Sequence, residues 1–355
     1  MSALTRFERA ALAAIALLTA LAGVANYSGW APVPRFALAT LALAGLAWVV
    51  SFATEQLGEH LTAGVTGMLQ ATLGNLPELF VCIFALRAGL DDVVRAAIVG
   101  SILSNVLLIL GLGFLVGGLK HGVQRFPAPT ARNLGLLMLL AVAAMMLPAL
   151  TDALHSPAEG HEVAFSRVVA VLLLVVFALS LPAALARSQT PAKVEEDADG
   201  HARQWSLGLA IGMLAVSGLG AAFVSDWFVA ALTPAIDVLN LSEAFAGLVI
   251  VAIASNAVEN VVGIQLAARN NMDYALSVIL QSPIQIALVL APALVLIAPL
   301  VGASFTLVLS PLLIAVLAIA VIVTVVVVFD GESTWLEGAA LVALYGICAT
   351  AFFWG

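Results

Sequence analysis

The sequence predicts an all-α polytopic membrane protein of about eleven transmembrane helices: a leading helix, then two inverted five-helix repeats whose helices break at an ion site. Three observations carry that expectation. Of 355 residues, 63% are hydrophobic and 10% are charged, against roughly 25% charged in an average soluble domain. Apolar runs of about twenty residues recur along the whole chain, each long enough to cross a hydrocarbon core of roughly 30 Å as a helix. A short polar pattern also returns at an interval of 181 residues, as expected of a carrier built from internal repeats.

Taken in order, the leading helix is expected over 9–27, within a segment 1–30. Arg6 and Arg9 precede it and "AGVA" at 22–25 resembles the end of a signal peptide. A retained helix fits better, because about ten further spans follow and there is no soluble domain to export. The first repeat, 31–186, holds spans near 34–57, 62–87, 93–118, 131–150 and 164–186. A connecting loop at 187–204 carries the acidic stretch "KVEEDADGH". The second repeat, 205–355, holds spans near 205–232, 244–268, 273–298, 303–329 and 335–354. Because five is odd, the second set must enter the membrane with the opposite orientation.

Lys and Arg set the orientation. With a cytoplasmic N-terminus, that side holds Arg6, Arg9, Lys120, Arg125, Arg132, Arg187, Lys193, Arg203 and Arg269; the other holds Arg35, Arg87, Arg95 and Arg167. The N-terminus is therefore expected inside and the C-terminus outside, and the Ala-rich, short-looped chain suggests a bacterial plasma membrane. The net charge of −8 resides in loops, and no basic patch invites nucleic acid; the partner is the lipid bilayer. Cys82 and Cys348 lie in apolar segments, where they read as small buried hydrophobes. The chain holds no Gly-x-Ser-x-Gly, no His-Glu-x-x-His and no Glu-Glu-x-x-x-Arg, since Gly200 stands at the last position of that pattern. No enzyme and no cofactor is expected.

The repeat shows in the polar residues. "GNLPE" (74–78) recurs as "SNAVE" (255–259), placing Asn75 over Asn256 and Glu78 over Glu259. "GSILSN" (100–105) lies over "QSPIQI" (281–286), placing Ser101 over Ser282 at the same interval. A weaker pair, Glu55 in "SFATEQLG" and Asp226 in "AAFVSDWF", needs a ten-residue loop difference. Glu259 is the only acid of 244–268 and lies roughly 14 Å from the Ala268 end at about 1.5 Å per residue. A carboxylate near the bilayer midplane costs at least a few kcal/mol unless paired or protonated, so it marks function.

Each Asn-x-x-Glu also fits a capping box, but splitting either span there leaves pieces of about twelve residues, too short to cross. Asn75 and Pro77 suit the start of a half-helix, which would break the span and free backbone carbonyls around a lined cavity. Two glutamates, two asparagines, nearby serines and freed carbonyls form an all-oxygen set, which suits a hard cation such as calcium. Zinc or copper would want His or Cys, and His60, His121, His155, His161 and His201 all fall at span ends or in loops. Ser101, Ser104 and Asn105 share one helix face, as do Ser282 and Gln285; helix-to-helix hydrogen bonding is their simpler role, and more so for Gln70, Thr72 and Gln265.

These stretches resemble the calcium/cation antiporter superfamily, most closely its cation/proton exchanger branch. "MLQATLGNLPELFVCIFAL" (68–86), "GSILSN" (100–105) and "GLGFLVGGLKHGVQRFP" (111–127) resemble its first repeat, and 255–260, 281–286 and "STWLEGAALVALYGICATAFFW" (333–354) its second. The resemblance covers nearly the whole chain in order. It implies an eleven-helix carrier exchanging calcium for protons, with Glu78 and Glu259 as central ligands and proton acceptors and Glu55 and Asp226 as accessory acids. Asn260 stands where the branch usually has histidine, Leu76-Pro77 replaces Ala-Thr as in sodium/calcium exchangers, Ser255 replaces Gly, Gln70 replaces Asn, and Pro283 interrupts the second serine motif. Sodium/calcium exchange is the neighbouring alternative, and a cation channel with an acidic selectivity ring is a more distant one.

Overall fold

The structure, a computed structural model, describes residues 5–61, 69, 72–156, 160–187 and 205–354, without the side chains of 181–187, 258 and 259. It is helical almost throughout. The helices are α1 (Arg6–Tyr27), α2 (Pro32–Gly58), α3 (Leu76–Arg87), α4 (Asp91–His121), α5 (Ala128–Ala153), α6 (Glu162–Arg187), α7 (Leu207–Leu239), α8 (Glu243–Ser255), α9 (Ala257–Ala268), α10 (Met272–Val301), α11 (Pro311–Val327) and α12 (Trp335–Phe353). Two short strands, β1 (Gln124–Arg125) and β2 (Glu332–Ser333), pair antiparallel, Gln124 opposite Ser333. Among the described residues eight helices are long and apolar enough to cross a membrane, and α8 with α9, bent by 64°, forms one more span if taken together.

Local chemistry sets the helix starts. Thr5 and Glu8 close a capping box ahead of α1, and Thr334 with Glu337 closes another ahead of α12. Each pair satisfies amides that the first turn leaves without intrahelical partners. Pro32 and Pro311 begin α2 and α11, where a missing N–H costs nothing. Pro77 likewise falls in the first turn of α3, just past the turn at Gly74 and Asn75.

The span expected over 303–329 needs correction. Gly302, with a left-handed φ of 79°, ends α10, and residues 303–310 run without helix up to the Ser310 cap of α11. Phe305, Leu307 and Leu309 are buried while their neighbours are not, a period of two that marks extended chain. The strip is tied down by Ser166, whose Oγ accepts from Leu307 N at 3.1 Å, and by Arg95, which reaches Thr306 O at 3.4 Å. Helix α11 is left with 17 residues.

The chain divides into two compact units. The first comprises Met1–Val81 and Val175–Val238; the second comprises Cys82–Leu174 and Leu239–Gly355. Each draws segments from both expected repeats. Within the first unit α1 lies along α2, and buried Trp205, leading into α7, packs on Ala53, Leu57 and Ala210. His60 donates Nε2–H to Trp205 O at 2.7 Å, and Gln56 Oε1 accepts from Trp205 N at 3.0 Å.

Within the second unit, α4 crosses α8 and α12 at glycines. A Cβ at Gly100 would overlap the Leu248 carbonyl oxygen, and one at Gly247 would stand 2.8 Å from Ala96 Cβ. A Cβ at Gly338 would likewise strike the backbone of Leu115. Small residues let helices approach this closely in lipid, where association rests on packing. Because the obstacle at Gly100 is backbone, Gly100→Val is expected to force α4 and α8 apart at about 1–3 kcal/mol or more. A thermal midpoint in detergent lower by several degrees would show it; an unchanged midpoint would refute the crossing.

Three helices contain a wide π turn: Ser104–Ile109 in α4, Ala246–Val251 in α8 and Ile286–Leu290 in α10. The element bounds also carry the sequence interval: α3 and α9 each have 12 residues, and both begin and end 181 residues apart. Shifted by the same amount, the α10 π turn lies over Asn105–Ile109.

Candidate functional site

In the first unit, Asn75 and Glu78 stand at the entry of α3. Both are buried, Glu78 to 1% exposure. Leu79 N donates to Asn75 O at 2.9 Å, so the Asn75 carbonyl already belongs to the helix, and Glu78 sits in its first turn. Glu55 on α2 and Asp226 on α7 are exposed in this unit. Gln70 lies outside the described residues, and Thr72 spends its hydroxyl on Leu69 O.

In the second unit, four of the expected residues are joined. Asn256 Nδ2 donates to Ser101 Oγ at 2.9 Å and to Ala252 O at 3.0 Å. Asn105 Nδ2 donates to Ser101 O at 2.9 Å and to Ser282 Oγ at 3.3 Å. Ser101, Ser104, Asn105, Ser255, Asn256, Asn260, Ser282 and Gln285 are all buried. The helix-to-helix role considered for Ser101, Asn105 and Ser282 is real, since these bonds link α4 to α10 and to the break between α8 and α9; Ser104 makes no such bond among the described residues.

The capping role considered for Asn-x-x-Glu does not hold at Asn256. Its side chain makes no cap hydrogen bond to α9, because Nδ2 is turned toward Ser101 and Ala252 instead. With φ −102° and ψ 14°, Asn256 leaves the helix and produces the bend. Glu259 falls one turn further, in the first turn of α9, and its side chain lies outside the described residues.

Asn105 and Asn256 use their amide donors on the protein, which leaves their acceptor oxygens available. Asn105 Oδ1, Asn260 Oδ1 and Ser104 Oγ are buried and make no hydrogen bond among the described residues. Buried acceptors of this kind normally have a partner, and oxygen is the ligand that calcium and other hard cations take. Among the described residues no three His, Cys, Asp or Glu side chains cluster. The chemistry that this network offers is therefore that of amides, hydroxyls and backbone, with Glu259 the only carboxylate of 244–268.

Two features of this region were not readable from residue types. The wide turn Ser104–Ile109 begins at the site serine; π turns release a carbonyl from the regular ladder and recur at functional positions. Thr324 on α11 lies within bonding distance of Val106 O, at 3.1 Å, and of Ala320 O, at 2.8 Å. It thereby donates toward the backbone of that turn. A buried threonine in a long Val-Ile run was the only available hint.

The chain is similar to known proteins over most of its length. Residues 32–185 and 209–354 match the family described as sodium/calcium exchanger protein. The chain is 34% identical over 349 residues to the Ca(2+)/H(+) antiporter of Synechocystis sp., covering 93% of either chain. It is 34% identical over 340 residues to the vacuolar calcium ion transporter of Schizosaccharomyces pombe, covering 93% of this chain and 82% of that one. Among solved structures, native YfkE superposes with a TM-score of 0.83 at 29% identity, covering 97% of this chain and 99% of that one.

Proposed function

Because the chain belongs to the sodium/calcium exchanger protein family, we propose that it exchanges calcium for protons across a membrane by alternating access, Glu78 and Glu259 binding either the cation or protons. The observation that carries this reading is the matched placement of the two acids. Each stands in the first turn of a 12-residue helix that follows an asparagine, at one interval of 181 residues. Exchange against protons rather than sodium is supported by similarity over nearly the full length to a cyanobacterial protein named for that exchange.

The charges supply the coupling. A bare carboxylate at membrane depth costs several kcal/mol, so a carrier with both acids ionised and empty is slow to change the side on which it opens. One divalent cation neutralises two carboxylates, and so do two protons. Turnover in either neutral state and not in the charged one yields exchange rather than leak. Asn75, Asn256, Ser101, Ser282 and Gln285 contribute oxygen ligands or hold those that do; Glu55 and Asp226 attract cations on the way, with Ser104, Asn105 and Asn260 as accessory groups.

The layout that goes with this function is about eleven spans, as 1–30, 31–186 and 205–355 around an acidic loop at 187–204, the two five-helix sets inverted. The bias of Lys and Arg supports a cytoplasmic N-terminus in a bacterial plasma membrane. In inverted vesicles, an imposed pH gradient, acid inside, is expected to drive saturable calcium accumulation with matching proton release, and a sodium gradient at equal pH is not. Accumulation driven by sodium alone would assign sodium/calcium exchange instead, and non-saturating calcium flux without proton movement would assign a channel.

A further inference from the structure

The stretch "GGLKHGVQRFP" (117–127) takes no part in the proposed chemistry, yet it meets the far end of the helix that carries Glu259. Helix α9 stops at Ala268, where four carbonyls lack intrahelical donors. Backbone amides of residues 269–271 reach the first three: Arg269 N to Gln265 O, Asn271 N to Leu266 O and Asn270 N to Ala267 O. Side chains from the end of α4 and from β1 complete the set. Gln124 Nε2 donates to Ala267 O at 3.0 Å and to Asn270 Oδ1 at 2.9 Å. Ala268 O accepts from Lys120 Nζ at 2.9 Å and from His121 Nε2 at 3.0 Å.

Gln124 differs from its two neighbours. Lys120 and His121 are exposed, whereas Gln124 is 2% exposed. Its backbone is held in β1 by the pairing with Ser333. Its amide lies so close over Gly117 that a Cβ there would overlap Gln124 Oε1, so the glycine is the space the amide occupies. At the other end of α9, Asn256 is tied to Ser101. The helix is thus fastened at both ends, and the two fastenings are set on α4 or on the strand that follows it.

We propose that Gln124 is a positioning residue for calcium binding: by clamping the Ala267 end of α9, it fixes the orientation of the helix whose first turn presents Glu259. A 12-residue helix is about 18 Å long. If it pivots near Asn256, a drift of about 2 Å at Ala267 moves the backbone of Glu259 by roughly 0.5 Å, enough to degrade a site whose ligands need placing to about that tolerance. Lys120 and His121 act on the next carbonyl from solvent and add less.

This inference rests on Glu259 as a cation ligand, and the experiment separates the two. Calcium uptake is measured in inverted vesicles for the wild-type chain, Glu259→Gln, Gln124→Leu, Gly117→Ala, the double variant Gly117→Ala/Gln124→Ala and Asn270→Gly. Gln124→Leu is expected to raise the half-saturating calcium concentration about tenfold, with the maximal rate per folded protein within twofold. Gly117→Ala is expected to match it by displacing the amide, and the double variant to be no worse than Gly117→Ala alone. A lowered yield or thermal midpoint with unchanged half-saturation would make Gln124 merely structural and overturn the proposal. Should Gln124→Leu not be recovered folded, Asn270→Gly carries the test, because glycine accepts the φ of 61° there; a rise of threefold or more supports the clamp and no change refutes it. If Glu259→Gln abolishes exchange while Gln124→Leu leaves half-saturation alone, only this inference fails. If Glu259→Gln exchanges normally, the reading of Glu259 fails first.

Discussion

Glu78→Gln is expected to abolish calcium/proton exchange while the protein still folds, and Glu259→Gln to do the same. The substitution keeps shape and hydrogen-bonding capacity and removes only the charge. Two unit charges 4 Å apart interact by about 4 kcal/mol at an effective dielectric of 20, and each 1.4 kcal/mol is tenfold in affinity. The loss for a divalent cation is therefore roughly a thousandfold or more, and the amide cannot carry a proton in its place. Folding survives because a neutral amide is cheaper to bury than a carboxylate, and Glu78 is buried to 1% exposure. The check is isotopic calcium uptake driven by a pH gradient, alongside gel filtration and thermal unfolding in detergent. Uptake at wild-type rate in either variant would remove the acids from the mechanism.

Asn256→Leu is the second large effect. Leucine branches at Cγ with the same number of side-chain heavy atoms as asparagine, but it is bulkier and cannot donate to Ser101 Oγ or Ala252 O, bonds that hold the break between α8 and α9. Losing a donor to buried polar groups costs about 1–3 kcal/mol each, so a fall of about 2–4 kcal/mol in stability is expected. Function suffers further, since the bend sets where α9 begins. Calcium bound by the folded protein is expected to raise the wild-type thermal midpoint through mass action, and that rise is expected to vanish in Asn256→Leu. A variant that unfolds earlier yet keeps the full calcium-dependent rise would show that Asn256 is structural only.

Much of the plan is legible in the residues because lipid tolerates few backbone choices. The apolar runs mark the helices, and the polar residues that interrupt them mark the second unit's hydrogen-bonded network, including Ser101, Asn105, Asn256 and Ser282. The interval between Asn75 and Asn256 reappears in the bounds of α3 and α9. Hydropathy could not place the start of α11, because 303–310 is as apolar as a span; only Gly302, Pro311 and the alternation of Phe305, Leu307 and Leu309 betray an extended strip. The π turns leave no mark in composition, since one extra residue per turn alters neither hydropathy nor length detectably. The local pattern at Asn256 also fits a cap, the lesser of its two readings, and its amide instead meets a tertiary partner, Ser101. The role of Gln124 is not legible in the sequence for a related reason: its targets, Ala267 O and Asn270 Oδ1, lie more than a hundred residues away.

The interleaving of the two compact units has a consequence for biosynthesis. The first unit lacks Val175–Val238, and the second lacks everything from Leu239 onward, until those residues leave the ribosome. Early segments must therefore wait in the bilayer as separate helices, and closing such distant pairings is intrinsically slow. Nascent chains arrested at residue 174 are expected to be digested readily by protease, and arrest beyond residue 238 to protect the first unit alone.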